Sequence, residues 1–221
     1  MRARFAVLTV RMTSAHTGTG AIILAAGSAS RYGALKQVIA IDGEPMVRRM
    51  ARSALAARLH PVVVVVGSER DRVIECLNNL DVHPVDNADW AAGMGTSLSI
   101  GVRALLDQSA TLQAVMVLLG DQPAVGLDDL ERMITTHAAA PNRILAAQDG
   151  ANLGPPCIFP MTYAGELLEL PGPNGARVLL DRHAAEVDGF DLPSAFRDID
   201  TPADYESWQA SRGQRSPGEL G

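Results

Sequence analysis

Three short runs without a polar residue, Ala21–Leu24, Val62–Val66 and Ala114–Leu119, each lead into a glycine-containing turn. A strand with one wet face alternates apolar and polar residues, whereas a strand that is apolar throughout is covered on both faces, as in a parallel sheet between helices. The intervening sequence supplies the covers. From Pro45 to Leu59, the residues Met46, Val47, Met50, Ala51, Ala54, Leu55 and Leu59 recur at helical spacing behind a proline suited to a first turn. Leu98, Val102, Leu105 and Leu106 stripe a helix before the third run, and Leu127, Leu130 and Ile134 stripe one after it. The alternation predicts an α/β fold of three α/β/α layers around a Rossmann-like, mostly parallel sheet, with ligands collecting at the carboxyl ends of the strands. Arg143–Ala147 reads as a further strand. Beyond it, prolines at 155, 156, 160, 171 and 173 make the pattern irregular. A short apolar piece at Phe196–Ile199 follows, and Thr201-Pro202 opens a last helix with a hydroxyl cap.

A chain of 221 residues holds one sizeable core and is short for two. Residues 1–19 read as a disordered extension, 20–210 as one domain and 211–221 as a flexible tail. The net charge of −6, without a basic run, excludes the electrostatic footing that nucleic-acid binding needs. The apolar runs fall far below the roughly 20 residues of a membrane span. Cys76 and Cys157 stand far apart, with no Cys-x-x-Cys and no clustered histidines, which excludes a disulfide framework or a zinc or iron–sulfur motif and marks a cytoplasmic chain. His16, His60, His83, His137 and His183 show no ligand spacing and read as structural or solvated.

After the first run comes Ala25-Ala26-Gly27-Ser28-Ala29-Ser30-Arg31-Tyr32-Gly33-Ala34-Leu35-Lys36, a loop of small residues carrying two cations. Small residues let backbone N–H groups approach an anion closely, and the cations neutralise it. No Gly-Lys-Ser/Thr is present, and Gly27 with Gly33 does not fit G-x-G-x-x-G, so this is neither a Walker A loop nor a dinucleotide fingerprint. Of 19 lysines and arginines, Lys36 alone is a lysine. A compact ammonium retained in a chain that otherwise writes its cations as arginine points to a phosphate contact. Asp121 follows the third apolar run and Gly120, so it projects from the carboxyl edge of the sheet, where a hard oxygen ligand suits Mg²⁺. Asp198 and Asp200 flank Ile199 and point the same way if that piece is a strand.

The run Leu24-Ala25-Ala26-Gly27 through Arg31, Gly33 and Lys36 resembles the LAAGxSxRxGxxK signature of nucleotidyltransferases with a glycosyltransferase-A-like fold. More narrowly, the chain resembles the MobA-like NTP transferases and, among them, the molybdenum cofactor cytidylyltransferases. Five segments support this in the family's order: Gly95–Gly101, Gly120-Asp121-Gln122-Pro123, Gly154–Phe159, Gly175-Ala176-Arg177 and Asp198-Ile199-Asp200-Thr201-Pro202. The chain departs from the usual pattern at Ala29, Tyr32, Leu35 and Pro173-Asn174.

The resemblance implies transfer of CMP from CTP to the phosphate of molybdenum-bearing molybdopterin, with release of pyrophosphate. It implies Arg31, Lys36 and Asp121 as catalytic residues, and Asp121 with Asp198 and Asp200 as the Mg²⁺ site. Leu24, Ala25, Ala26, Gly27, Ser28, Arg31, Gly33, Lys36, Gly95 and Ser97 are the implied nucleotide contacts, and Gly154, Pro156, Phe159 and Arg177 the acceptor contacts. Ala26, where guanylyl-transferring relatives tend to carry a second glycine, favours CTP. A molybdenum hydroxylase is the implied recipient. The alternatives are transfer to a sugar- or alditol-phosphate, or a non-catalytic chaperone of the cofactor.

Overall fold

The computed structural model describes residues 18–27, 36–170, 172–173 and 175–197, the side chain of Lys36 excepted. In chain order its strands are β1 (Thr19–Ala25), β2 (Ala40–Ile41), β3 (Glu44–Pro45), β4 (Val62–Val66), β5 (His83–Asp86), β6 (Ala114–Leu119), β7 (Ile144–Asp149), β8 (Asn152–Pro160) and β9 (Val187–Asp191). Its helices are α1 (Met46–Ala56), α2 (Arg70–Cys76), α3 (Met94–Gln108), α4 (Leu127–Ala139), α5 (Ala164–Leu168) and α6 (Arg177–Arg182). Seven strands form one sheet in the order β5-β4-β1-β6-β8-β7-β9, while β2 and β3 make a separate hairpin. Every neighbouring pair in the large sheet is parallel except the two that involve β8, which is antiparallel to both β6 and β7.

The alternation of side chains along β1 divides the core into two layers. Ala21, Ile23 and Ala25 face α1, α2 and α4, packing with Val47, Met50, Val73, Leu130 and Met133. Ile22, Leu24 and Ala26 face the other way, onto Leu98, Val102 and Leu105 of α3 with Leu167, Leu179 and Leu180 of α5 and α6. The expected three-layer fold is therefore the observed one. Full apolarity of β4, β6 and the Ala21–Ala25 part of β1 is what this double cover requires, and burial of each Ile, Val or Leu contributes about 1.5–3 kcal/mol. Close packing also selects glycine at position 101 of α3, since a Cβ there would lie 2.6 Å from Ile22 of the sheet.

The second half corrects the sequence reading. The proline-rich stretch is not irregular but contains the nine-residue β8. Pro155 and Pro156 fall where the β7–β8 register shifts, between the pairs Ala146–Cys157 and Ala147–Gly154, and Pro160 ends the strand. Prolines there withdraw no N–H from a regular ladder. Phe196 closes a 3₁₀ turn, Pro193–Phe196, instead of opening a strand. Thr19, assigned to the N-terminal extension, already belongs to β1. Residues 1–17, the helix expected at Thr201-Pro202 and the tail 211–221 lie outside the described residues. Among the described residues no helix is long and apolar enough to cross a membrane.

Leu118 is fully buried at the centre of the sheet. Leu118→Ala is expected to lower the unfolding free energy by about 2–5 kcal/mol, read from urea denaturation, through lost burial and the cavity left behind.

Candidate active site

Parallel registration of β4, β1 and β6 sends three chain segments out at the same edge. Ala25 pairs with Val66, and Leu24 pairs with Leu119. The next residues of each strand therefore meet: Ala26-Gly27, Gly67-Ser68 and Gly120-Asp121. Their backbones approach closely, with the Gly120 N–H donating to the Leu24 carbonyl at 2.9 Å. A Cβ on Gly67 would stand 2.6 Å from the Ala26 carbonyl oxygen. A cleft of about 330 Å³ opens at this edge, lined by Leu24, Ala26, Gly27 and Gln37 on one side and by Leu119 and Asp121 below. Its far wall comprises Trp90, Ala91, Gly93, Met94 and Ser97.

The 3₁₀ turn Lys36–Val38 brings the returning chain back to that edge. Gln37 lies against both strands' ends: its Cγ is 3.5 Å from where a Gly120 Cβ would be, and its Nε2 is 3.6 Å from the corresponding point on Gly27. The turn that begins with Lys36 and the segment that carries Asp121 thus share one rim. The Gln37 Oε1 is buried with no hydrogen-bond partner. A buried amide oxygen left unpaired and a carboxylate at the same cleft make a set of hard oxygen donors, which fits a magnesium-type ion and its bound waters. Among the described residues no group of three or more His, Cys, Asp or Glu is gathered around a metal position. Asp198 and Asp200 lie outside those residues, as do Ser28, Arg31 and Gly33.

The far wall is built around Asn87, which is fully buried. Its Nδ2 donates to Thr96 Oγ1 and Ser97 Oγ, each at 2.9 Å, and its Oδ1 accepts from the Asp89 N–H at 3.0 Å. Its own N–H donates to the Val66 carbonyl at 2.9 Å. One residue, through its side chain and its backbone N–H, thereby fastens the start of α3 to the end of β4. Ser97 is a wall residue held by this bond. Gly95, expected to meet the nucleotide, instead donates its N–H to the Gly172 carbonyl at 2.9 Å. The methyl of Ala25 packs in the layer away from the cleft.

Gln122 connects the cleft to β8, its Nε2 donating to the carbonyls of Pro155 at 2.8 Å and Ala195 at 2.7 Å. Gly154 sits under the Phe196 ring, 3.4 Å from where a Cβ would be, and Pro156 is buried. Phe159 is fully buried among the core residues facing α3, α5 and α6, so its ring supports β8 from within and presents no surface to an acceptor. Arg177 opens α6 and donates to the Leu153 carbonyl and to Asp181, each at 3.2 Å. Cys157 is fully buried on β8, and burial pushes its thiol far above the ordinary range. His137 is buried, which lowers its pKa, and His183 is bonded to Glu166; neither lines the cleft.

Asn87, Trp90 and Gln37 are the site residues that motif reading passes over. The only sequence signal for the first two is a polar and aromatic cluster just after β5. That strand, His-Pro-Val-Asp, is too polar to read as one, because it forms the sheet edge and alternates half-buried with exposed residues.

Ala26-Gly27, the Lys36–Val38 turn and Asp121 meet at a single carboxyl edge of a parallel sheet with one reversed strand, the frame of a nucleotidyltransferase. The chain belongs to the MobA-like NTP transferase family, whose domain profile matches residues 21–187. Nicotine blue oxidoreductase of Paenarthrobacter nicotinovorans is 30% identical over 191 residues, covering 81% of this chain and 91% of that protein. The purine catabolism protein PucB of Bacillus subtilis is 29% identical over 197 residues, covering 84% and 93%. Among solved structures, Rv0371c of Mycobacterium tuberculosis superposes with a TM-score of 0.70 at 25% identity, over 87% of this chain and 97% of its own. Rv0371c has also been solved in complex with manganese, and that structure matches with a TM-score of 0.67 at 24% identity, over 88% of this chain and 100% of its own.

Asn87→Ala is expected to cost about 1–3 kcal/mol in urea unfolding, because it strands the hydroxyls and the N–H that the amide satisfies. Native protein treated with a thiol reagent at pH 8 is expected to leave Cys157 unmodified, with reaction at that residue appearing only in denaturant, as read by peptide mass spectrometry.

Proposed function

We propose that this enzyme transfers CMP from CTP to the phosphate of molybdenum-bearing molybdopterin, releasing pyrophosphate. The observation that carries the reading is the shared rim: Ala26-Gly27 after β1, Gln37 of the turn begun by Lys36, and Asp121 after β6 line one cleft. Family membership supports nucleotide transfer. The cytidylyl branch and the pterin acceptor rest on Ala26 and on the segments Gly154–Phe159 and Gly175-Ala176-Arg177.

Such a transfer needs no protein nucleophile. A phosphate monoester has a second pKa of about 6, so the acceptor is already mostly a dianion at neutral pH. The difficulty is to bring two polyanions together on a chain of net charge −6 and to stabilise charge on the α-phosphoryl group and the departing pyrophosphate. In this reading Arg31, Lys36 and the amides of the 24–28 loop, with Gly33 permitting close approach, hold the triphosphate. Asp121, with Asp198 or Asp200, holds the divalent ion, which supplies charge neutralisation to the phosphates when bound. Manganese in the Rv0371c structure supports a divalent ion in this fold. Ser97 and its wall orient the base, while Gly154, Pro156 and Arg177 shape the acceptor side. The acceptor then attacks in line with the pyrophosphate leaving group. The product passes to a molybdenum hydroxylase, and the reaction is placed in the cytoplasm.

One relative is named an oxidoreductase. A hydride-transfer reading predicts oxidation of NADH or NADPH, but the loop after β1 lacks the G-x-G-x-x-G fingerprint for such a cofactor.

The test is to incubate purified protein with molybdenum cofactor, Mg²⁺ and each nucleoside triphosphate, measuring pyrophosphate. Turnover with CTP is expected. Turnover with GTP alone overturns the cytidylyl reading, turnover only with sugar- or alditol-phosphates moves the acceptor, and binding without pyrophosphate makes the protein a chaperone. Lys36→Ala and Asp121→Ala are each expected to lower kcat/KM at least about tenfold, the equivalent of 1.4 kcal/mol of transition-state stabilisation.

A further inference from the structure

The cleft's far wall continues, without a gap, into a segment that does not touch the cleft. Residues 164–170, 172, 173, 175 and 176 contribute nothing to the cleft lining, yet they precede Arg177 and pack on the back of the wall. Three contacts make the joint. The Gly95 N–H donates to the Gly172 carbonyl at 2.9 Å. The Ser99 hydroxyl donates to the Leu168 carbonyl at 2.7 Å. Gly175 lies so close to Met94 that a Cβ would stand 2.8 Å from its sulfur.

Between these points two backbones pass in direct contact. A Cβ on Gly93 would collide with the Gly172 carbonyl, and one on Gly172 would collide with the Ala92 carbonyl. Gly93 also holds φ +122°, which side chains other than hydrogen rarely allow. Where Gly93 and Gly172 meet, the contact is backbone against backbone, so a displacement there is passed directly from one segment to the other.

We propose that this glycine seam couples the two substrate sites, with Ser99 and Gly172 as positioning residues that transmit the state of the nucleotide wall to the acceptor side. The division into nucleotide and acceptor sides rests on the reading above; the mechanical coupling itself does not. Gly93, Met94 and Ser97 face the cleft, while Arg177 reaches β8 through Leu153. The seam joins them through direct contacts. A triphosphate that orders the start of α3 thereby orders the acceptor side before the acceptor arrives, which gives positive coupling between the two ligands.

Hydrogen exchange of the full chain tests this. Without nucleotide, Ser99→Ala is expected to speed exchange in peptides from 164–173 as well as in α3, and Gly172→Ala to speed it at 93–97. Disturbance confined to the mutated segment in both variants overturns the coupling. This arm stands whatever the chain binds. With CTP and Mg²⁺, wild-type protein is expected to gain protection at 24–27, 93–97 and 164–173, and Ser99→Ala to keep the first while losing the last. Protection that stops at 93–97 in the wild type also overturns the proposal. If no triphosphate protects 24–27, the nucleotide reading fails while the first arm still judges the seam. In turnover, Ser99→Ala is expected to raise KM for the acceptor at least about fivefold with KM for CTP changed less than about twofold; equal effects on both overturn the positioning role.

Discussion

Everything at the active edge depends on the parallel registration of β4, β1 and β6. Because Ala25 is level with Val66 and Leu24 with Leu119, residues distant in sequence leave the sheet side by side. Shifting one strand by a single residue would set side chains of the wrong size and shape against each helix layer, and both buried layers are too closely packed to accept them. The burial that holds the sheet together is thus also what places Gly27, Gly67 and Asp121 within one cleft. Stability and site geometry have the same cause here.

Around that edge the polar interactions serve position more than energy. Asn87 has no exposed surface; its side-chain amide joins the 89–93 turn to α3, and its backbone N–H bonds the end of β4. Gln122 does the same between β6, β8 and the Pro193–Phe196 turn. Both are buried amides whose donors bond other elements, those of Gln122 far along the chain, so each bond specifies a particular packing. The oxygens of Gln37 and Gln122 are both buried without a hydrogen-bond partner, and of the two residues Gln37 lines the cleft beside the Asp121 carboxylate.

The first half of the chain was legible because its strands are apolar throughout and its helices strongly striped. Val62–Val66 and Ala114–Leu119 match their strands residue for residue. The second half obscures itself. β8 carries three prolines, acceptable only because a register shift and a strand end remove the need for their N–H groups. β5 and β9 are edge strands with polar, half-exposed residues, and α5 and α6 are too short to show a period. Motif reading singled out Gly27 and Asp121, which line the cleft, and Lys36, which begins the turn beside it, but it assigned Phe159 to a ligand wall when the ring is core. An aromatic residue beside a functional glycine-proline segment looks the same in sequence whether it points in or out.

The sequence by itself determined the layered α/β architecture, the family and the chemical types gathered at the carboxyl edge, because hydrophobic periodicity and small-residue loops are local properties of the chain. Only the tertiary structure decided that Gly95 bonds a distant carbonyl, that Asn87 is the wall's hub, and that two glycine backbones pass in contact. The glycine contacts bring together segments about 80 residues apart, and the Asn87 bonds depend on which way one side chain points; neither leaves a periodic trace in the amino-acid order.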